Sequence, residues 1–124
     1  MTRHIMGAIE NHNVDVLAYP SCHLLTGRRS VAVDMEAVFW AAARTNTILE
    51  INAVPSRLDL KDIHAYRARE IGVKLVINTD AHNAEHLSFM RFGVGVAKRG
   101  WCQAQDMLNT KPLGEIITCL KLRG

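Results

Sequence analysis

Three short apolar runs, each preceded by a helix-like segment, constrain the fold of this chain more than any other feature. The runs are "DVLAY" at residues 15–19, "TILEIN" at residues 47–52 and "VKLVINT" at residues 73–79, and each has the length of a strand. Right-handed crossovers through helices are the ordinary way to place successive strands side by side in a parallel sheet. The sequence therefore predicts an α/β fold of about three parallel strands with flanking helices, in one domain over residues 1–124.

The segments between the runs have the apolar periodicity and the ends of amphipathic helices. Asp34 is placed to cap one helix, and Gly72 is placed to end the next. The expected buried faces are Met35, Val38, Phe39 and Ala42 in the first of these helices, and Leu60, Ile63, Tyr66 and Ile71 in the second.

Downstream of the third run, the sequence predicts a helix over residues 84–92, then a glycine-punctuated stretch over residues 92–101, and a last helix over residues 112–122. The aromatic side chains stand at helical spacings. We expect them to be core residues rather than surfaces for stacking bases: Phe39, Trp40 and Phe89.

Composition limits the class of protein without choosing a function. Hydrophobic residues make up 48% of the chain and charged residues 22%, as in an ordinary globular domain, and the formal charge of +3 is too small to require a nucleic-acid partner. Cys22, Cys102 and Cys119 form no C-x-x-C pair, which favours a reducing, cytoplasmic environment. No apolar run approaches the length of a membrane span, so we expect a soluble protein without a membrane partner.

Polar side chains follow or interrupt the three apolar runs at their carboxyl ends, where α/β proteins bind their ligands. Side chains alternate along a strand, so Glu50 and Asn52 are expected on one face of the sheet. Polar residues in apolar strands need hydrogen-bond partners or a metal ion. The candidate site residues are Tyr19, Glu50, Asn52, Asn78, Asp80 and His82.

Asp80 and His82 are the strongest pair of candidate metal ligands. They converge on one divalent ion if the chain stays extended through Ala81, and a carboxylate with an imidazole suits Mn, Fe or Zn better than calcium. The alternative is that Asp80 caps the following helix and His82 is an ordinary polar residue.

Residues 82–86 also fit H-x-x-E-H, the inverted zinc-peptidase signature. That interpretation requires His82 and His86 on one face of a helix, Glu85 as the base and a distant ligand, for which Glu115 is the candidate. His82 stands at a strand exit rather than within a helix, which counts against this alternative.

Other polar residues have an ordinary and a functional interpretation. The histidines of the helix-like segments are expected to face solvent or to be hydrogen-bonded: His4, His12 and His64. "TGRRS", at residues 26–30, places two arginines on a glycine loop that either binds a phosphate or forms a solvated turn.

Several longer motifs together resemble one known family. They are "EINA.P.RLDL" at residues 50–60, "INTDAH" at residues 77–82, "FGVG.A.RGW" at residues 92–101 and "LNT" at residues 108–110. Together with "DVLAYP" they resemble the carboxy-terminal part of the PHP (polymerase and histidinol phosphatase) domain, in the form attached to bacterial and archaeal family X DNA polymerases.

The resemblance implies a distorted (βα)7 barrel that holds a cluster of divalent ions, usually manganese or zinc, at its strand ends. It also implies hydrolysis of phosphate esters and, in the polymerase-linked form, a 3′–5′ exonuclease activity on DNA ends. Asp80 and His82 match the last metal-binding pair of the family. A phosphate ester or a DNA 3′ end is thus the expected substrate.

The sequence departs from the family in two ways. Tyr19 stands where the family has a histidine, and Ser21, Cys22 and His23 alter the pattern that follows, with His23 as a candidate partial substitute. The early family motifs would precede Met1, so we expect this chain to be the back portion of the barrel, completed by an amino-terminal half or by association into a homo-oligomer. Two functions remain open: a phosphoesterase module that is incomplete alone, and a non-catalytic structural or interaction module.

Overall fold

The computed structural model describes residues 2–21 and 34–120. Helices and strands alternate along this part of the chain, and short 3₁₀ segments follow the last strand. None of the described helices is long and apolar enough to cross a membrane. In chain order the elements are α1 (Thr2–Glu10), β1 (Val16–Leu17), α2 (Met35–Thr45), β2 (Ile48–Asn52), α3 (Asp62–Ile71), β3 (Leu75–Asn78), α4 (Met90–Arg99) and α5 (Leu113–Cys119), with 3₁₀ segments at Ala84–Phe89, Ala104–Asp106 and Leu108–Thr110.

The three strands form one sheet in the order β1-β2-β3, and both pairs are parallel. β2 is central and all five of its residues are buried. The register pairs Val16 with Ile48 and Asn52 with Asn78. The carboxyl ends of the three parallel strands therefore lie at the same end of the sheet. The predicted α/β class and the three parallel strands are confirmed, although β1 is shorter than residues 15–19.

The predicted helix ends of α2 and α3 are confirmed. The Asp34 carboxylate accepts a hydrogen bond from the backbone N–H of Ala37 at 3.1 Å, as an N-cap does. Gly72 ends α3 at a φ of 101°, in the left-handed region where glycine is favoured. Gly72 thus turns the chain from α3 toward β3, which begins at Leu75.

The predicted buried face of α2 is largely right, and that of α3 is right for Leu60, which is fully buried just before the helix, and in part for Ile71, which packs against the core. Val38, Phe39 and Ala42 are buried, but Trp40, expected in the core, is 54% exposed. In α3 the large residues Ile63 and Tyr66 point outward, and the buried positions are Ala65 and Ala68. A Cβ atom on Gly100 would lie 3.1 Å from the Ala65 side chain, so the chain packs too closely there for large side chains.

The glycine-punctuated stretch is helical, contrary to prediction. Residues 84–89 form a 3₁₀ segment, and α4 continues through the glycines to Arg99. A Cβ atom on Gly93 would overlap Ile77 Cγ2 and would lie 3.1 Å from Ala53 Cβ. Gly93 therefore permits close packing of α4 on the sheet, and this contact outweighs the low helix propensity of glycine.

A side-chain amide covers the outer edge of β3. Asn109 Oδ1 accepts a hydrogen bond from the Ile77 N–H at 2.7 Å, and Asn109 Nδ2 donates to the Ile77 carbonyl at 3.0 Å. Met107 also forms a parallel bridge with Leu75. The "LNT" motif thus supplies the hydrogen bonds that a further strand would supply at this position.

Candidate metal and phosphate site at the carboxyl edge of the sheet

Tyr19 and Asp80 meet at the carboxyl ends of the strands, although 61 positions separate them in sequence. Tyr19 follows β1 and Asp80 follows β3, and the Tyr19 hydroxyl donates a hydrogen bond to Asp80 Oδ2 at 2.8 Å. This contact joins the ends of the two outer strands across β2. The structure therefore brings together two of the residues that the sequence placed separately at strand ends.

Glu50 lies in β2 between these two strand ends and is 7% exposed. Asn52 Nδ2 donates to Glu50 Oε1 at 3.2 Å, and Asn78 Nδ2 donates to Glu50 Oε2 at 2.8 Å. The prediction that Glu50 and Asn52 share a face is confirmed. Because the side-chain amides of Asn52 and Asn78 donate to both of its oxygens, the Glu50 carboxylate is fixed in place near the carboxyl ends of the strands.

The backbone turns sharply at both residues of the Tyr19–Asp80 contact. Tyr19 has a φ of 48° and Asp80 a φ of 50°, a region that costs a non-glycine residue about 1 kcal/mol or more. The condition that the chain stays extended from Asp80 to His82 is therefore not met. The turn instead aims the Asp80 carboxylate toward Tyr19.

The same turn sets the tautomer of His82. His82 Nδ1 lies 2.8 Å from the backbone carbonyl oxygen of Asp80. A carbonyl only accepts, so Nδ1 carries the proton and the neutral ring keeps its lone pair on Nε2. Histidines that bind metals commonly donate their second ring nitrogen in this way. The turn thus gives His82 the protonation pattern of a ligand.

His86 supports the turn rather than extending the ligand set. The backbone N–H of His82 donates to His86 Nδ1 at 3.1 Å, and the His86 ring stacks on Phe89 with centroids 5.0 Å apart. The hydrogen bond occupies the Nδ1 lone pair of His86. This position is therefore structural.

The two alternatives for residues 80–86 do not fit the geometry. His82 precedes the 3₁₀ segment that contains Glu85 and His86, so the α-helical face required by the inverted zinc-peptidase motif is absent from these residues. The N-cap of the segment is Asn83, which accepts from the His86 N–H at 3.1 Å. Asp80 is therefore not the cap, and its carboxylate remains available for other contacts.

The loop after β2 holds the loop after β1. The Arg57 guanidinium lies 4.6 Å from the centroid of the Tyr19 ring, and the fully buried Asp59 carboxylate accepts from the Ser21 N–H at 3.1 Å and from Ser21 Oγ at 2.5 Å. Sequence reasoning assigned no role to Arg57 or Asp59. The signal was present, because both belong to the "RLDL" part of the quoted motif.

The environment of Tyr19 favours its neutral phenol. The hydrogen bond to Asp80 and then burial raise the pKa of Tyr19 above its ordinary value of 10.0, and the Arg57 charge opposes this only in part. Tyr19 therefore donates a hydrogen bond to Asp80 at neutral pH.

The described residues include two candidate metal ligands and form no polynuclear centre. Within residues 2–21 and 34–120, no group of three or more His, Cys, Asp or Glu side chains is placed to hold an ion. Asp80 and His82 fit as a contributed pair. His23 and residues 26–30 lie outside the described residues. His4 and His12 are exposed, and His64 packs edge-on against Phe39 with centroids 6.0 Å apart.

No protein-family model matches the chain. Individual proteins do match it. The chain is 43% identical over 114 residues to the DNA polymerase/3′-5′ exonuclease PolX of Bacillus subtilis (strain 168), an alignment that covers 92% of this chain and 20% of that protein. It is 29% identical to a probable phosphatase of Shewanella sediminis (strain HAW-EB3), with 99% of this chain and 50% of the relative aligned.

A probable phosphatase of Thermoanaerobacter sp. (strain X514) is 30% identical to the chain, with 97% of this chain and 49% of the relative aligned. The chain thus spans one fifth of the polymerase and about half of the phosphatases. These matches extend over nearly the whole chain and confirm the predicted relationship. The chain is homologous to the carboxy-terminal part of the PHP domain of family X DNA polymerases.

Proposed function

We propose that this chain forms the carboxy-terminal part of a PHP-type barrel and contributes to a metal-dependent phosphoesterase centre. The observation that carries the proposal is the hydrogen bond from His82 Nδ1 to the backbone carbonyl of Asp80, which orients the imidazole and leaves its Nε2 lone pair free to bind a metal. The relatives named as phosphatases and as a polymerase/3′-5′ exonuclease support the same chemistry. The substrate is then a phosphate ester or a DNA 3′ end.

Asp80 and His82 would hold a divalent ion, Mn or Zn, which when bound polarises a phosphoryl oxygen and activates water. A full site needs further ligands, either His23 or residues of an amino-terminal barrel half. The remaining side chains have supporting roles. Arg57 presents a cation at the Tyr19 ring and would bind a phosphate oxygen, and the Glu50 carboxylate would favour a cation at the strand ends.

The test measures metal binding and hydrolysis on the same protein. We expect the purified chain to bind Mn²⁺, and to cleave p-nitrophenyl phosphate or a single-stranded oligonucleotide at most weakly in Mn²⁺ unless an amino-terminal barrel half supplies the remaining ligands. Asp80→Asn and His82→Gln should each weaken Mn²⁺ binding by about tenfold or more, because each removes one ligand of the ion.

His12→Gln is the matched control, because His12 is an exposed histidine on the turn before β1. This variant should bind Mn²⁺ as the wild type does. Equal Mn²⁺ affinity in the wild type, Asp80→Asn and His82→Gln would refute the assignment of the ligand pair.

A non-catalytic structural or interaction module is the second candidate function. Tyr19 favours it, because a neutral phenol replaces the imidazole that the family resemblance implies. A folded wild-type chain that binds neither Mn²⁺ nor Zn²⁺ and hydrolyses neither substrate would support this function and exclude the first for the chain alone.

A further inference from the structure

We propose that Tyr19 is a positioning residue that holds the Asp80 carboxylate from outside the coordination shell of the bound ion. The inference rests on the proposed function, since it concerns the same ligand pair. It assigns a task to the residue that replaces a family histidine: the hydroxyl orients a ligand instead of being one. The contact that carries it is the hydrogen bond from Tyr19 Oη to Asp80 Oδ2 at 2.8 Å.

The hydrogen bond uses only one side of the carboxylate. Tyr19 carries a single hydroxyl proton, and this proton goes to Oδ2, which leaves Oδ1 for an ion. Carboxylates that bind metals are commonly hydrogen-bonded through their second oxygen in this manner.

Two further contacts fix Tyr19 itself. The Arg57 guanidinium covers one face of its ring, and the buried Asp59 carboxylate fastens the loop two residues later through the N–H and hydroxyl of Ser21. Both contacts come from the single loop that follows β2. Tyr19 adopts a left-handed backbone conformation, which persists in non-glycine residues only where the surroundings impose it.

Asp80 needs such support because its own environment supplies little. Asp80 is exposed, it lies just beyond the end of β3 at Asn78, and its backbone is also in the left-handed region. An unsupported carboxylate at such a turn samples several rotamers, and binding an ion then requires one of them to be selected. The Tyr19 hydroxyl holds the Asp80 side chain in one rotamer before the ion binds, so less conformational entropy is lost on binding.

The experiment compares Tyr19→Phe with the wild-type chain. Mn²⁺ binding is followed by electron paramagnetic resonance of the free ion, which requires no catalytic turnover. We expect Tyr19→Phe to bind Mn²⁺ about 10-fold to 100-fold more weakly, the range found for lost hydrogen bonds to metal ligands. Tyr19→His should bind at least as tightly as the wild type, because an imidazole at this position can act as a ligand.

A second measurement reports on the carboxylate without any metal. The three-bond couplings between Hα and Hβ of Asp80 should indicate one rotamer in the wild type and rotamer averaging in Tyr19→Phe. Tyr66→Phe is the matched control, since it removes the hydroxyl of an exposed tyrosine on α3. It should change neither the Mn²⁺ affinity nor the Asp80 couplings.

The outcomes separate this inference from the proposed function. Unchanged or tighter Mn²⁺ binding in Tyr19→Phe, with binding lost in Asp80→Asn, would overturn the positioning role and leave the ligand pair intact. Identical Asp80 couplings in the wild type and Tyr19→Phe would overturn it as well. A wild-type affinity unaffected by Asp80→Asn would overturn the proposed function and this inference together.

Discussion

At the scale of single residues, the Tyr19–Asp80 hydrogen bond decides the electrostatics of the candidate site. It keeps the phenol neutral and gives the carboxylate a defined direction, and both effects come from one contact of 2.8 Å. A histidine in place of Tyr19 would instead offer a nitrogen lone pair. On the positioning role proposed above, the exchange of a histidine for a tyrosine changes the task of this position from binding an ion to orienting Asp80.

The raised pKa of Tyr19 gives a prediction about pH. The folded protein holds the Tyr19 proton more tightly than the unfolded chain, so the stability from this contact is fully present below about pH 10 and is lost as pH rises through the raised pKa. In a Tyr66→Phe background, which leaves Tyr19 as the one tyrosine of the chain, ultraviolet titration should show this raised pKa. Asp80→Asn should lower the pKa toward 10, because the hydrogen bond to the carboxylate is the largest cause of the shift.

The same titration has a clear contrary result. If the pKa of Tyr19 were identical in the Tyr66→Phe background with and without the Asp80→Asn substitution, the hydrogen bond would not exist in solution. Burial of the Tyr19 ring alone would then have to account for any remaining rise in its pKa.

At the scale of elements, close approach rather than propensity determines where the helices lie. α4 contains two glycines that the sequence alone suggests as breaks, yet one of them permits contact with β3 and the other meets only the end of an arginine side chain. α3 presents alanines to its neighbours for the same reason. Small residues thus permit the close contacts of α3 and α4 with their neighbours.

We predict opposite effects on stability for alanine substitutions at Gly93 and Gly95. Gly93→Ala should destabilise the fold by about 1–3 kcal/mol, since its Cβ would overlap Ile77 Cγ2 in a packed core. Gly95→Ala meets only the movable Arg99 guanidinium at 3.3 Å and should stabilise α4 by about 0.5–1 kcal/mol. Urea unfolding of the two variants measures both values, and equal effects would contradict the packing role of Gly93.

At the scale of the whole molecule, the three-stranded sheet has two unlike edges. The edge of β3 is occupied by Asn109, which satisfies both backbone groups of Ile77, whereas β1 pairs through only two residues. Association of this chain with other strands, which we expect for so small a parallel sheet, therefore involves β1 rather than β3.

Asn109→Ala tests whether Asn109 prevents another strand from pairing with the outer edge of β3. Loss of the amide leaves the N–H and carbonyl of buried Ile77 without this partner, so we expect a loss of about 1–3 kcal/mol in stability. Light scattering should also show increased association, because a strand edge becomes available. Gln105→Ala, at an exposed position of the neighbouring 3₁₀ segment, should leave both properties nearly unchanged. A variant as stable and as dispersed as the wild type would show that Asn109 does not seal the edge.

The sequence predicts the order of the elements, because apolar periodicity is a local property, and it identifies Asp80 and His82 as candidate ligands by residue type. It predicts less about how distant residues meet. Aspartate is enriched in left-handed turns but tyrosine is not, and no local pattern indicates that two such turns 61 positions apart meet, so the contact between Tyr19 and Asp80 could not be anticipated. The exposure of Ile63 and the burial of Ala65 likewise depend on the neighbouring chain at Gly100. Arg57 and Asp59 were visible as a motif, but their contacts depend on the path of a loop.

The side-chain amide of Asn109 determines which edge of the sheet can accept another strand. A strand that already has its outward hydrogen bonds satisfied accepts no neighbour there, so any added strand must join beside β1. The β3 edge is then a closed boundary of the sheet. A second fragment that supplies more strands would add them beside β1 and would leave the hydrogen bonds at β3 intact. Chains of this kind are therefore suited to split-protein complementation, with the second fragment designed to dock from the β1 side.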